Sequence, residues 1–168
     1  MAAQAARGRR YGAGMSTPDP RPACRVEELV EVTDDALAAV GALVSQLSRS
    51  APAPTREELT QIVASPATHL LLARDADGAV LGSLTLVLFR IPTGMRAWVE
   101  DVVVDAGARG HGVGQQLTRE AVRLAGLAGA RTVDLTSRPA RVEANRLYQR
   151  VGFVLRETNV YRWSEPPS

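Results

Sequence analysis

The chain has 168 residues, 45% of them hydrophobic and 23% charged, and a formal net charge of +2. That is enough for one globular domain with its own core. No apolar run nears the roughly 18 residues that span a bilayer, and the single cysteine, Cys24, excludes an intrachain disulfide and a cysteine-rich zinc site.

All twenty basic residues are arginine. A Walker-type phosphate loop and a Schiff-base lysine are therefore excluded. The arginines are scattered with few aromatics among them, which argues against a nucleic-acid surface. His69 and His111 lack metal-ligand spacing, so no metal is expected.

Residues 1–22 are rich in Ala, Gly, Arg and Pro without periodicity and read as a flexible tail, with translation starting at Met1 or Met15. Arg7, Arg9 and Arg10 precede no apolar stretch, so a secretory signal is not expected and a cytoplasmic location is the default. A single domain is expected over 23–168. Residues 24–32 read as a strand. Thr33 or Asp34 caps a helix that carries Leu37, Val40, Val44 and Leu47 at helical spacing. Residues 50–54 break it. Thr55 and Glu58 form a capping box for a second, short helix with Leu59, Ile62 and Val63 on its apolar side.

Strands are expected at 69–73 and 80–89, joined by a tight turn at 75–78 in which Asp77 and Gly78 supply the positive-φ positions. Pro92 and Gly94 mark 91–96 as a loop, and 97–104 is a strongly apolar strand that carries Glu100 and Asp101. A glycine-rich turn and an amphipathic helix over 112–127 follow. The helix presents Val113, Leu117, Ala121, Leu124 and Ala128 on one face, and Gly129 ends it. The rest reads as a strand at 131–136, a helix at 139–150 stopped by Gly152, and closing strands at 153–157 and 160–163. This order specifies an α/β fold with a mixed sheet.

The turn Arg109-Gly110-His111-Gly112-Val113-Gly114 joins the apolar strand to the helix. Glycine permits positive φ and close approach of the backbone to a ligand. The first N–H groups of the helix lack intrahelical partners, and the helix end favours an anion by about 0.3–1 kcal/mol. Each hydrogen bond to a charged phosphate adds about 1.5–3 kcal/mol, and Arg109 can add a charge-assisted contact. A pyrophosphate suits this arrangement. The dinucleotide fingerprint fails because position 115 is Gln, and the Walker pattern fails for want of lysine. His111 is expected to offer its backbone to phosphate and its ring to solvent.

The run Trp98-Val-Glu-Asp-Val-Val-Val104, the turn at 109–114 and the downstream Asn145-Arg-Leu-Tyr148-Gln-Arg-Val-Gly152-Phe153 together resemble the GNAT superfamily of N-acetyltransferases. The resemblance implies a mostly antiparallel twisted sheet flanked by helices, with a CoA cleft where central strands splay. It implies acetyl-CoA as acyl donor. The pyrophosphate would lie on the amides of Arg109, Gly110, His111, Gly112, Val113 and Gly114, and the pantetheine arm along Val102, Val103 and Val104. Asn145 matches a position that contacts the pantetheine arm, and Tyr148 one near the thioester sulfur. A route to a homodimer through strand exchange at 160–163 is also implied.

Acetyl transfer needs a neutral amine, a donor for the developing oxyanion and an acid for the departing thiolate. Tyr148 shares a helix face with Asn145 and is the candidate acid; the alternative is a tyrosine that only packs on the sheet. Glu100 is the candidate base, since an alkylamine is mostly protonated at neutral pH. The alternative is a carboxylate paired with an arginine such as Arg138. Asp101 points to the opposite face of an ideal strand, but a bulge would reverse that parity. Acetylation of a small-molecule primary amine is the leading expectation, with a protein or peptide acceptor and a CoA-binding module without turnover as the alternatives.

Overall fold

A computed structural model describes residues 24–48 and 50–165. In chain order the elements are β1 (Arg25–Glu28), α1 (Asp34–Leu47), α2 (Arg56–Ala64), β2 (Thr68–Arg74), β3 (Val80–Ile91), β4 (Gly94–Val104), a 3₁₀ turn (Ala106–Ala108), α3 (Val113–Leu127), β5 (Val133–Leu135) and α4 (Val142–Val151). The five strands lie in sequence order in one open sheet. All neighbours are antiparallel except β4 and β5, which run parallel. The expected tail at 1–22 lies outside the described residues.

Both caps on the first two helices form. Thr33 caps α1, its hydroxyl accepting from the Ala36 N–H at 3.2 Å. On α2 the capping box closes in both directions: Glu58 N–H to Thr55 Oγ1 at 3.2 Å and Thr55 N–H to Glu58 Oε2 at 2.8 Å. Leu70 and Leu72 of β2 pack with Leu29, Val40 of α1 and Leu59 of α2 on one face of the sheet. The opposite face carries Leu71, Leu84, Leu86 and Val99, which pack against Val113, Leu117, Ala121 and Ala125 of α3. Ala125, rather than Leu124 or Ala128, completes the fully buried stripe of α3. Leu117 is fully buried, and truncating such a leucine to alanine costs about 2–5 kcal/mol.

The structure corrects several sequence expectations. β1 stops at Glu28 because the chain leaves the ladder after Leu29, whose N–H still reaches the Leu70 carbonyl at 2.8 Å. In the β2–β3 turn only Gly78 has positive φ, at +88°; the Asp75 carboxylate holds the turn by accepting from the N–H groups of Asp77 and Ala79. The expected loop at 91–96 is instead a two-residue turn, Pro92 and Thr93, with Ile91 paired to Gly94 and Phe89 to Arg96. Pro92 and Gly94 punctuate one tight hairpin because proline presets φ for a turn corner.

The closing strands are also absent. Residues 153–165 form no helix or strand, and Val154, Leu155, Val160, Tyr161 and Trp163 are 73–90% exposed. Their apolar character was legible, but apolar content alone does not make a strand, and this segment does not pair with the free edge of β5.

Candidate active site

The β4–α3 connection carries the turn. Two of its glycines, Gly110 and Gly112, adopt left-handed φ of +81° and +80°. Gly112 is the N-cap of α3 and makes no side-chain cap hydrogen bond. Among the described residues, no N–H from 109 to 115 donates a hydrogen bond to backbone or side chain; the first that does is Gln116, to the Gly112 carbonyl at 3.0 Å. A row of bare N–H groups on a helix N-terminus is the arrangement an anion requires. Arg109 and His111 are both exposed, and the Arg109 Nε–H donates to the Val104 carbonyl at 3.3 Å.

Gly114 has a different task. A Cβ there would lie 2.9 Å from Leu147 Cδ1 and 3.4 Å from Val104 Cγ2. Its missing side chain lets α3 press against α4 and β4, so this third glycine seats the helix that bears the turn. The turn is anchored from a second direction as well. Gln46, at the end of α1, donates to Asp105 Oδ2 at 2.8 Å and accepts from the Ala106 N–H at 3.0 Å. The Gln46 bond to its carboxylate, with that from the Gly107 N–H, holds the Asp105 carboxyl below its ordinary pKa.

β4 leaves its ladder just where chemistry was expected. Glu100 pairs with Thr85 and Val103 with Ser83, so Asp101 and Val102 together stand opposite Leu84 alone. Asp101 has φ +49°. This is a β-bulge, which bends the strand and re-aims its side chains. Parity is reversed across it: Glu100 and Val103 share one face, while Val102 and Val104 pack against the α3 core on the other.

On the other side of β4, pairing with β5 ends at Val99 and Leu135. β5 ends there, so the edge of β4 from Glu100 to Val104 has no β5 partner and leads on to the bare N–H groups of the turn. An extended amide-bearing chain can lie along such a strand edge.

Tyr148 of α4 is only 7% exposed. Its ring meets Phe153 edge-on with centroids 6.0 Å apart. Burial raises its hydroxyl pKa above the ordinary 10.0, opposed by the positive charge of Arg141. The phenol therefore stays protonated at neutral pH. Asn145, one turn earlier, spends its amide N–H groups on the Arg138 and Pro139 carbonyls at 3.1 and 3.4 Å, closing the loop that leads from β5 into α4. Ser137, in the same loop, buries a hydroxyl with no partner among the described residues.

Glu100 is exposed and makes no ion pair with Arg138 or any other arginine among the described residues. Its partner is Trp98, whose indole N–H donates to Glu100 Oε1 at 2.7 Å. Ladder partners share a face of a pleated sheet. Trp98 stands opposite Val87 of β3 and Asp134 of β5, and Glu100 opposite Thr85. These five residues form a floor on the face opposite α3. Asp134 Oδ2 accepts from Thr132 Oγ1 at 2.9 Å, and the same hydroxyl accepts from Arg96 at 3.2 Å. Sequence reasoning missed Trp98, Asp134, Gln46 and Ser137. The two-residue spacing of Trp98 and Glu100 was a signal for the first, but the others depend on strand register and loop packing.

Residues 37–153 match the model of the acetyltransferase (GNAT) family. The chain is 37% identical over 126 residues to glucosamine 6-phosphate N-acetyltransferase 1 of Oryza sativa subsp. japonica, covering 70% of this chain and 73% of that protein. Its structure is similar to that of an aminoglycoside acetyltransferase from an uncultured soil metagenomic sample, with a TM-score of 0.75, 16% identity, and coverage of 86% of this chain and 97% of the other. A glucosamine-6-phosphate N-acetyltransferase from Arabidopsis thaliana is similar with a TM-score of 0.70, 18% identity, and coverage of 85% and 99%.

Proposed function

This chain belongs to the acetyltransferase (GNAT) family, and on that footing we propose that it transfers the acetyl group of acetyl-CoA to a primary amine of a small molecule. The observation that carries the reading is the convergence at one end of β4. The bare N–H groups of the turn, the strand edge that lacks a β5 partner and the bulge beside Glu100 all lie within one stretch of chain. When bound, acetyl-CoA supplies an activated thioester. Gly110, His111, Gly112, Val113 and Gly114 would hold its pyrophosphate through backbone N–H groups, with Arg109 adding charge. Val102, Val103 and Val104 would align its pantetheine arm.

On this reading Glu100 takes a proton from the ammonium form of the acceptor, directly or through a water, and the amine then attacks. Tyr148 gives a proton to the departing sulfur, a role that suits a phenol kept neutral by burial. The floor of Trp98, Glu100 and Asp134 is polar, anionic and partly open, which suits a small cationic amine better than an uncharged acceptor. Amino sugars, including glucosamine 6-phosphate, lead the candidates because the rice relative acts on that compound.

Thiol release from acetyl-CoA, measured against a panel of glucosamine 6-phosphate, an aminoglycoside, an alkyl diamine and a lysine peptide, tests the reading. Rapid release with a small amine is expected. Release with the peptide alone would move the acceptor to proteins, and no release with any amine would favour a binding module.

We also propose a homodimer. Five large hydrophobics on 153–165 stand in solvent, and the outer edge of β5 is unpaired among the described residues. An exposed apolar segment and a free strand edge in the same chain favour exchange between copies. Sedimentation should give twice the 17.9 kDa of one chain. A monomer at high micromolar concentration would contradict this.

A further inference from the structure

Trp98 makes its indole hydrogen bond with a residue two positions away on the same strand, on an open face, and the partner is the carboxylate offered above as base. An exposed glutamate is ordinarily free to sample many rotamers, and holding it in one costs side-chain entropy. A half-buried indole is stiff, with two side-chain torsions. We propose that Trp98 is a positioning residue: it fixes the Glu100 carboxylate over the acceptor floor, leaving Oε2 free for the incoming amine. The inference rests on the proposed acetylation of a small amine.

The surroundings favour this arrangement over a merely structural one. Val87 and Asp134 flank Trp98 across the ladder, and Thr85 lies opposite Glu100, so no cation from a neighbouring strand stands in register with the carboxylate. Arg96 lies on the same face two residues before Trp98, but it is hydrogen-bonded to the hydroxyls of Thr93 and Thr132. Asp134 is bonded to Thr132. The indole N–H is thus the one donor to Glu100 among the described residues. It orients the carboxylate without neutralising it, as an arginine partner would do.

Two measurements test this. In the first, the indole Nε1–H resonance of Trp98, assigned by its loss in Trp98→Phe, is followed from pH 7 downward. It should move as Glu100 protonates. The movement should vanish in Glu100→Gln and persist in Asp134→Asn, which separates the two carboxylates that flank the ring. An unresponsive resonance, or one that follows Asp134, overturns the proposal whether or not any amine is acetylated. The second is a double-mutant cycle on the fastest amine of the panel above. Trp98→Phe should lower kcat/KM about tenfold with the KM for acetyl-CoA unchanged, and should add nothing in a Glu100→Gln background. Losses that multiply would mean that Trp98 acts independently of Glu100. Failure of the whole amine panel would count against the functional reading, while the indole titration would still decide this one.

Discussion

The two sides of β4 are built by different means. Its C-terminal end and the turn beyond it form a candidate site from backbone: left-handed glycines, bare N–H groups and an unpaired strand edge. Its middle forms a candidate site from side chains: Trp98, Glu100 and, across the ladder, Asp134. A backbone site needs particular residues in a short contiguous run, because only glycine tolerates both the left-handed turn and a close ligand. A side-chain site is assembled from strands far apart in the chain. The first can be recognised from local sequence, whereas the second emerges only with register.

The difference can be broken experimentally from either side. Glu100→Gln should have the largest effect on turnover, lowering kcat/KM by about 10²–10⁴-fold if it is the base. The loss should be greatest at low pH, where more of the amine is protonated, and acetyl-CoA binding should be spared. A pH profile identical to that of the wild type would shift the role to Asp101 or water. Tyr148→Phe should lower kcat by a smaller factor, about 10–100-fold, again with acetyl-CoA binding intact. Because burial raises the phenol pKa above 10.0, the acid form survives as pH rises through the ordinary range. The wild-type profile should therefore lose activity only at higher pH, and the variant should lack that basic limb. Gly114→Ala should be milder and act on stability. A Cβ 2.9 Å from Leu147 Cδ1 must displace the end of a half-buried side chain, while alanine favours the helix over glycine by up to about 1 kcal/mol. The net loss should be at most about 1 kcal/mol, and Tm should fall by no more than about 4 °C. An unchanged Tm would mean that Leu147 moves aside freely.

The sequence carried the helices well because their signals are local. Thr33, Thr55 and Glu58 act within one turn, and Gly152 takes φ +110° at the end of α4 as a C-terminal stop should. The bulge at Asp101 could be entertained from sequence but not located, since it is a property of pairing with β3. Pro92 and Gly94 suggested a loop because each breaks regular structure, yet a hairpin with a two-residue turn uses both. The segment at 153–165 has the apolar content of strands, but content alone does not bring it into register with the free edge of β5. Asp134 gave no sign of belonging to the site, because only its register with Trp98 brings it there. Gln46 is remote for a similar reason: its bonds to Asp105 and Ala106 span about sixty residues of chain.

Gly112 separates the backbone site from everything else. At φ +80° an aspartate would be strained and would set a negative charge against the phosphates. The decisive measurement is equilibrium binding of acetyl-CoA and of S-acetylpantetheine, which lacks the pyrophosphate together with the adenosine 3′-phosphate beyond it, to the wild type and to Gly112→Asp with its fold verified by melting. The wild type should prefer acetyl-CoA by at least about a hundredfold, as two or more charged hydrogen bonds would give, and the variant should lose that preference. Equal affinity for the two compounds in the wild type, or an undiminished preference in Gly112→Asp, would contradict the cradle.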